Sequence, residues 1–164
     1  MNDAKFRWWH PFYILLQITW GLPQTLLGLV LFLINIKQPH EYFGGSIMTR
    51  WKSFSGISLG LFTFTSDPKR SNPGFFGKSF TGSEKENDFT LCDRMAVHEY
   101  GHTFQSIMLG PLYLIVIGIP STVWGTTPYF RNLRERKHLT YGACYTESWA
   151  DALGTAVTGR NAIG

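Results

Sequence analysis

The chain is poor in charge and in cysteine. Asp, Glu, Lys and Arg make up 16% of its 164 residues, against roughly 25% in an ordinary soluble domain. Two cysteines, Cys92 and Cys144, exclude a disulfide framework; they either form one bridge or stay as thiols. Neither a CxxC nor a Cys-His metal spacing occurs. There is also no basic stripe with interleaved aromatics. The cations are scattered apart from Arg131, Arg134, Arg136 and Lys137, and the net charge is only +4. Nucleic acid is therefore not an expected partner, and the cluster suits a membrane edge with anionic headgroups. Gly and Pro follow no period, which excludes a collagen-like chain.

What the chain does have is apolar surface: 44% hydrophobic and 16% aromatic residues, enough to exclude disorder as the dominant state. The length suits one core. No charge occurs from Phe12 to Ile36. As one helix that segment is about 37 Å long, enough for a hydrocarbon core of about 30 Å. The expectation is a membrane anchor over 1–37, with Trp8, Trp9 and His10 at the interface and a kink at Gly21 and Pro23. A cleaved signal peptide and a buried soluble helix are the alternatives. Against cleavage, no alanine lies between Ala4 and Ala96, so an A-x-A site is missing; Gly44-Gly45-Ser46 is a weak substitute. Lys5 and Arg7 precede the segment and Lys37 follows it, so charge bias gives no orientation.

Residues 38–164 read as an α+β domain. Alternation from Ile47 to Phe54 and from Ile57 to Phe64, around Ser55-Gly56, predicts a β-hairpin or short antiparallel sheet. A loop is expected from Ser66 to Asp88. A helix follows, with Thr90 and Asp93 resembling a capping box, and stops at Gly110-Pro111. Residues 110–130 are apolar but interrupted by Gly and Pro, which predicts a re-entrant or membrane-associated hairpin. A last helix is expected over Tyr141–Thr158, ended by Gly159.

The long helix carries His98-Glu99-Tyr100-Gly101-His102, an HExxH pattern. Residues four apart share a helix face, so both imidazoles reach one ion. Glu99 is rotated about 100° from His98 and stands beside the ion, placed to take a proton from water. Zn2+ suits such a site because it makes hydroxide available near neutrality. Two histidines and a water leave a tetrahedral ion one protein ligand short. The last helix offers Glu147 as that ligand and Asp151, on the same face, to orient an imidazole. The bland readings are two unrelated histidines on a helix face and a solvated acidic face. His138, Tyr141 and Tyr145 are candidate oxyanion donors, each with an interfacial or structural role as its alternative.

HEYGH followed by Glu147-Ser148-Trp149-Ala150-Asp151 resembles the gluzincin zinc metallopeptidases. The E-x-x-A-D form is similar to membrane-bound CAAX-protease and HtpX-type peptidases. The resemblance covers about Thr90 to Gly159. It implies His98, His102 and Glu147 as zinc ligands, Glu99 as base and acid, and Asp151 as the residue behind a ligand. It also implies an upstream edge strand for extended substrate, here Ser58, Leu59, Gly60, Leu61 and Phe62. The chain is much smaller than those families and has one convincing membrane helix.

The implied function is a membrane-associated zinc endopeptidase acting on membrane-associated proteins or peptides, with membrane lipid as a second partner. Because Glu147 must meet an ion held by His98 and His102, the segment between them is expected to return to its starting side. The rival reading is a non-catalytic membrane adaptor or scaffold with a structural metal. A small membrane toxin or immunity-type protein is a third, resting on size alone.

Overall fold

A computed structural model describes residues 6–69 and 88–163. The expected Ser66–Asp88 loop falls largely on 70–87, outside the described residues, as does the Thr90 side chain of the expected capping box. Among the described residues the order is α1 (His10–Thr19), α2 (Leu22–Ile34), β1 (His40–Phe43), β2 (Ser46–Trp51), β3 (Ile57–Leu59), β4 (Phe62–Ser66) and α3 (Asp88–Leu109). Then follow a 3-10 turn (Gly110–Leu112), a π turn (Leu114–Gly118), α4 (Ile119–Thr126), α5 (Pro128–Lys137), a second 3-10 turn (Tyr141–Ala143) and α6 (Tyr145–Thr158). The class is α+β, with six α-helices and a four-stranded mixed sheet among the described residues.

The expected single anchor helix is two helices. α1 ends at Thr19, and α2 leaves it at 95°. Pro23 has no N–H to give the Thr19 carbonyl, so the helical ladder fails there. Gly21 fits the corner closely: a Cβ on it would sit 2.7 Å from Gln17 Oε1. Among the described residues no single helix is long and apolar enough to cross a membrane. Nor is the pair a detached anchor, because Gln17 and Gln24 hydrogen-bond into α3.

The sheet also departs from expectation. Its order is β1-β2-β4-β3, and β2 runs parallel to β4. The hairpins lie elsewhere, between β1 and β2 and between β3 and β4. Gly44 and Gly45 both take positive φ (59° and 98°), the conformation a two-residue hairpin turn demands; this is a turn where the sequence suggested a weak cleavage site. Gly60, with φ 62°, turns the second hairpin and divides the expected Ile57–Phe64 strand. The expected substrate strand is therefore three things: edge strand at Ser58 and Leu59, turn at Gly60 and Leu61, and inner strand at Phe62.

Two clusters form the core. Tyr13, Phe43, Met48, Ala96 and Tyr100 join α1, the sheet and α3; Phe54, Leu91, Cys92, Met95 and Ile163 close the other end. Tyr100 points into the first and donates to Gly44 O at 2.5 Å. This leaves His98 and His102 to face α6. Cys92 and Cys144 are not joined in a disulfide.

α3 ends at Leu109, as the Gly110-Pro111 signal predicts. Leu91–Leu112 and Leu114–Thr126 then meet at 120°, so the apolar 110–126 segment is helical and doubles back.

α3 and α6 touch backbone to backbone. A Cβ on Gly101 would overlap the Ala150 carbonyl, and one on Gly154 would overlap the Val97 carbonyl. Backbone atoms cannot swing aside, so Gly154→Ala is expected to destabilise the fold by about 1–3 kcal/mol. Thermal unfolding in detergent measures this. Gly118→Ala is the control: its Cβ would meet only ordinary contacts, the nearest at 3.6 Å, and its melting point should stay within about a degree or two.

Candidate metal centre

His98 and His102 lie one turn apart on α3, opposite the first turns of α6. Their Nε2 atoms stand 3.1 and 3.6 Å from Glu147 Oε2. One ligand atom from each of the three residues lies within 4.8 Å of the others, and all three residues are buried. Two atoms each about 2.05 Å from a tetrahedral ion are about 3.3 Å apart. The spacing fits a shared divalent cation.

The far side of each ring is also accounted for. His98 Nδ1 meets Asp151 Oδ1 at 2.7 Å, and His102 Nδ1 meets Gln105 Oε1 at 2.7 Å. Both partners are acceptors, so each Nδ1 carries the proton and each Nε2 faces the common centre. Gln105 is fixed in turn by its amide, which donates to Thr146 O at 2.8 Å. Thr146 Oγ1 donates to Glu147 Oε1 at 2.8 Å, leaving Oε2 for the rings. Sequence reasoning missed Gln105 and Thr146. The i,i+3 spacing of His102 and Gln105 on one helix was the available signal.

The charges point the same way. Burial disfavours a charged ring at His98, but hydrogen bonds to Asp151 and Glu147 outweigh it and push its pKa up to about 10. Burial likewise opposes a charged Glu147, yet hydrogen bonds from His102 and His98 hold its carboxyl far below the usual range. A buried carboxylate between two rings calls for positive charge at the centre. A divalent cation bound there would supply it.

Glu99 is buried on the adjoining face of α3, and burial raises its pKa. It is not in the ligand group. Its carboxylate lies against Gly56: a Cβ there would overlap Oε1. The chain entering β3 therefore passes directly over Glu99.

The three oxyanion candidates separate. The Tyr141 ring stands 6.3 Å from the His98 ring, with the Arg134 guanidinium 5.3 Å from its centroid. Burial, then the Glu147 and Glu99 carboxylates, drive the Tyr141 pKa upward, so its hydroxyl keeps its proton. The Tyr145 hydroxyl donates to Val116 O at 2.6 Å. His138 is exposed and caps α5 in the left-handed conformation, φ 51°. Neither is brought to the ring pair. Of the expected substrate strand, Ser58 already gives its carbonyl to the Tyr113 hydroxyl at 3.0 Å.

Comparison with family models, curated proteins and solved structures finds no match.

Removing the ring support is expected to weaken the centre without unfolding it. Gln105→Leu should lower affinity for a divalent cation by roughly 10- to 100-fold, measured by chelator competition, with the helical circular dichroism unchanged.

Proposed function

We propose that this chain is a membrane-associated, zinc-dependent endopeptidase with a small gluzincin-like core, acting on peptides or proteins presented at a membrane. The observation that carries the reading is the convergence of His98, His102 and Glu147 beside a buried Glu99 that is not a ligand. The described residues bring three ligands together, not four. Closed structural centres take four, while catalytic ones keep a position for water. That count favours hydrolysis over the scaffold reading.

Bound by these three residues, Zn2+ would polarise a substrate carbonyl and acidify water. Glu99 takes a proton from the water that attacks the carbonyl carbon and delivers it to the departing amine. Its raised pKa suits a group that must both accept and release a proton. Tyr141, whose ring stands beside that of His98, is the candidate donor to the developing oxyanion.

An extended peptide adds to a sheet edge through main-chain hydrogen bonds. β3 is an edge strand, but its Ser58 carbonyl is taken by Tyr113. Two residues earlier, the same edge presents Gly56, next to Glu99. The docking stretch is thus Ser55-Gly56-Ile57 rather than Ser58 to Phe62. Gly56 is needed there because any side chain would displace the Glu99 carboxylate.

The test is Glu99→Gln in the detergent-purified full chain. Zinc content by mass spectrometry should remain near one per chain, while cleavage of a quenched fluorogenic peptide library falls by roughly 10²–10⁴-fold. Undiminished cleavage would remove Glu99 from its role. A fourth protein ligand, seen by X-ray absorption on the zinc-loaded chain, would favour the scaffold.

A further inference from the structure

α1 and α2 are inside-out. The buried residues of α1 are His10, Tyr13 and Gln17, and those of α2 are Gln24, Thr25 and Gly28. The exposed residues are the apolar ones. On α2, Leu22, Leu26, Leu27, Val30, Leu33 and Ile34 are 43–74% exposed. At 3.6 residues per turn the exposed apolar positions of α2 cover roughly 160° of its circumference. In water this reverses the usual amphipathic pattern. In hydrocarbon it is the expected one, with polar groups inward and satisfied by the protein.

Most of the inner face is hydrogen-bonded, the exceptions including His10 Nε2, Tyr13 Oη and Gln24 Oε1. Gln17 Nε2 donates to Thr103 O at 2.9 Å, and Ser106 Oγ donates to Gln17 Oε1 at 2.9 Å. Gln24 Nε2 donates to Ser106 Oγ at 2.8 Å and to Gly110 O at 3.0 Å. Thr25 Oγ1 donates to Gln17 O at 2.7 Å. Gln17 O and Gly110 O are carbonyls at the two helix breaks, Gly110 O also taking the Tyr113 amide. Side chains donate to both, the condition under which irregular backbone is tolerated at membrane depth. The two bends also meet: a Cβ on Gly110 would overlap the Trp20 indole. Beyond that contact, Leu112, Ile115, Ile119 and Val123 repeat at helical spacing and are all exposed.

We propose that these two bent helix pairs form one wedge that enters a single leaflet of an anionic bilayer and returns, without crossing it. α1 and α2, with 10 and 13 residues, are about 15 and 20 Å long. A 95° bend keeps their joint depth well short of a hydrocarbon core of about 30 Å. Both ends of the pair then lie at the same interface. Exposed Arg7 and Lys37 mark those ends, and exposed Arg136 and Lys137 follow the second pair. Cations on both sides of an apolar segment suit a re-entrant element facing anionic headgroups, and they explain why charge bias gives a spanning helix no orientation. The proposal rests on the membrane part of the functional reading and not on hydrolysis, since the exposed apolar faces carry none of His98, Glu99, His102 and Glu147, which are buried.

The test uses the full chain with vesicles of phosphatidylcholine and phosphatidylglycerol. Wild-type protein should float with the vesicles, and Leu26→Asp with Val30→Asp should lower the bound fraction at least about tenfold. In a chain carrying Arg7→Cys and Lys37→Cys, with Cys92→Ala and Cys144→Ala, an impermeant polymer-maleimide reads the topology. A re-entrant pair gives molecules shifted twice or not at all. A spanning pair gives single shifts and overturns the proposal. Wild-type chain that stays off vesicles as a stable dimer would overturn it too, assigning the apolar face to a second copy. Flotation of the wild type needs no variant to fold. Its outcome is independent of the Glu99→Gln result.

Discussion

The close crossing of α3 and α6 is the constraint on which the rest depends. Helices usually pack with axes 8–10 Å apart, a distance set by the side chains between them. Here Gly101 and Gly154 remove those side chains, and the backbones meet at the Ala150 and Val97 carbonyls. Gly101 lies between the two histidines, and Ala150 between Glu147 and Asp151. The contact therefore sits in the middle of the centre it creates. A carboxylate is short; only at this separation does Glu147 reach both rings while Asp151 reaches behind one of them.

Around that crossing, every polar group of the centre has a second partner that fixes its direction. Asp151 and Gln105 hold the two rings, Thr146 turns the carboxylate, and the Gln105 amide ties α3 to the backbone of α6. Such a network is costly to bury unless complete. Its completeness leaves the inward-facing lone pairs for an ion, beside the Glu99 carboxylate. The chain entering β3 passes over Glu99 on the other side, so the sheet limits what can approach.

The same economy of polar groups governs the N-terminal helices. Their glutamines, threonine and histidine face inward and their leucines outward, so the protein keeps hydrogen bonds inside and presents hydrocarbon. The two bends are joined by Gln17, Gln24 and Trp20 along the C-terminal turns of α3, just beyond the ring pair in that helix's middle. A wedge at one end and a metal centre in the middle share a single helix.

Much of the centre was legible from spacing alone. His98 and His102, and Glu147 and Asp151, are each four apart, and an α-helix puts such pairs on one face whatever surrounds them. The stops at Gly110 and Gly159 were legible because φ > 0 favours glycine. Other features were decided only by the tertiary structure. Pro23 and Gly21 announced a break, but its angle follows from the buried glutamines that hold α2 against α3. The strand alternation was visible, but pairing is a choice among partners, and positive φ at Gly44, Gly45 and Gly60 moved the turns and set β2 parallel to β4. Gln105 is an ordinary polar residue until His102 and Thr146 stand on either side of it. Local periodicity fixes which residues share a face; which faces meet depends on contacts between segments distant in the chain, and no local pattern encodes them.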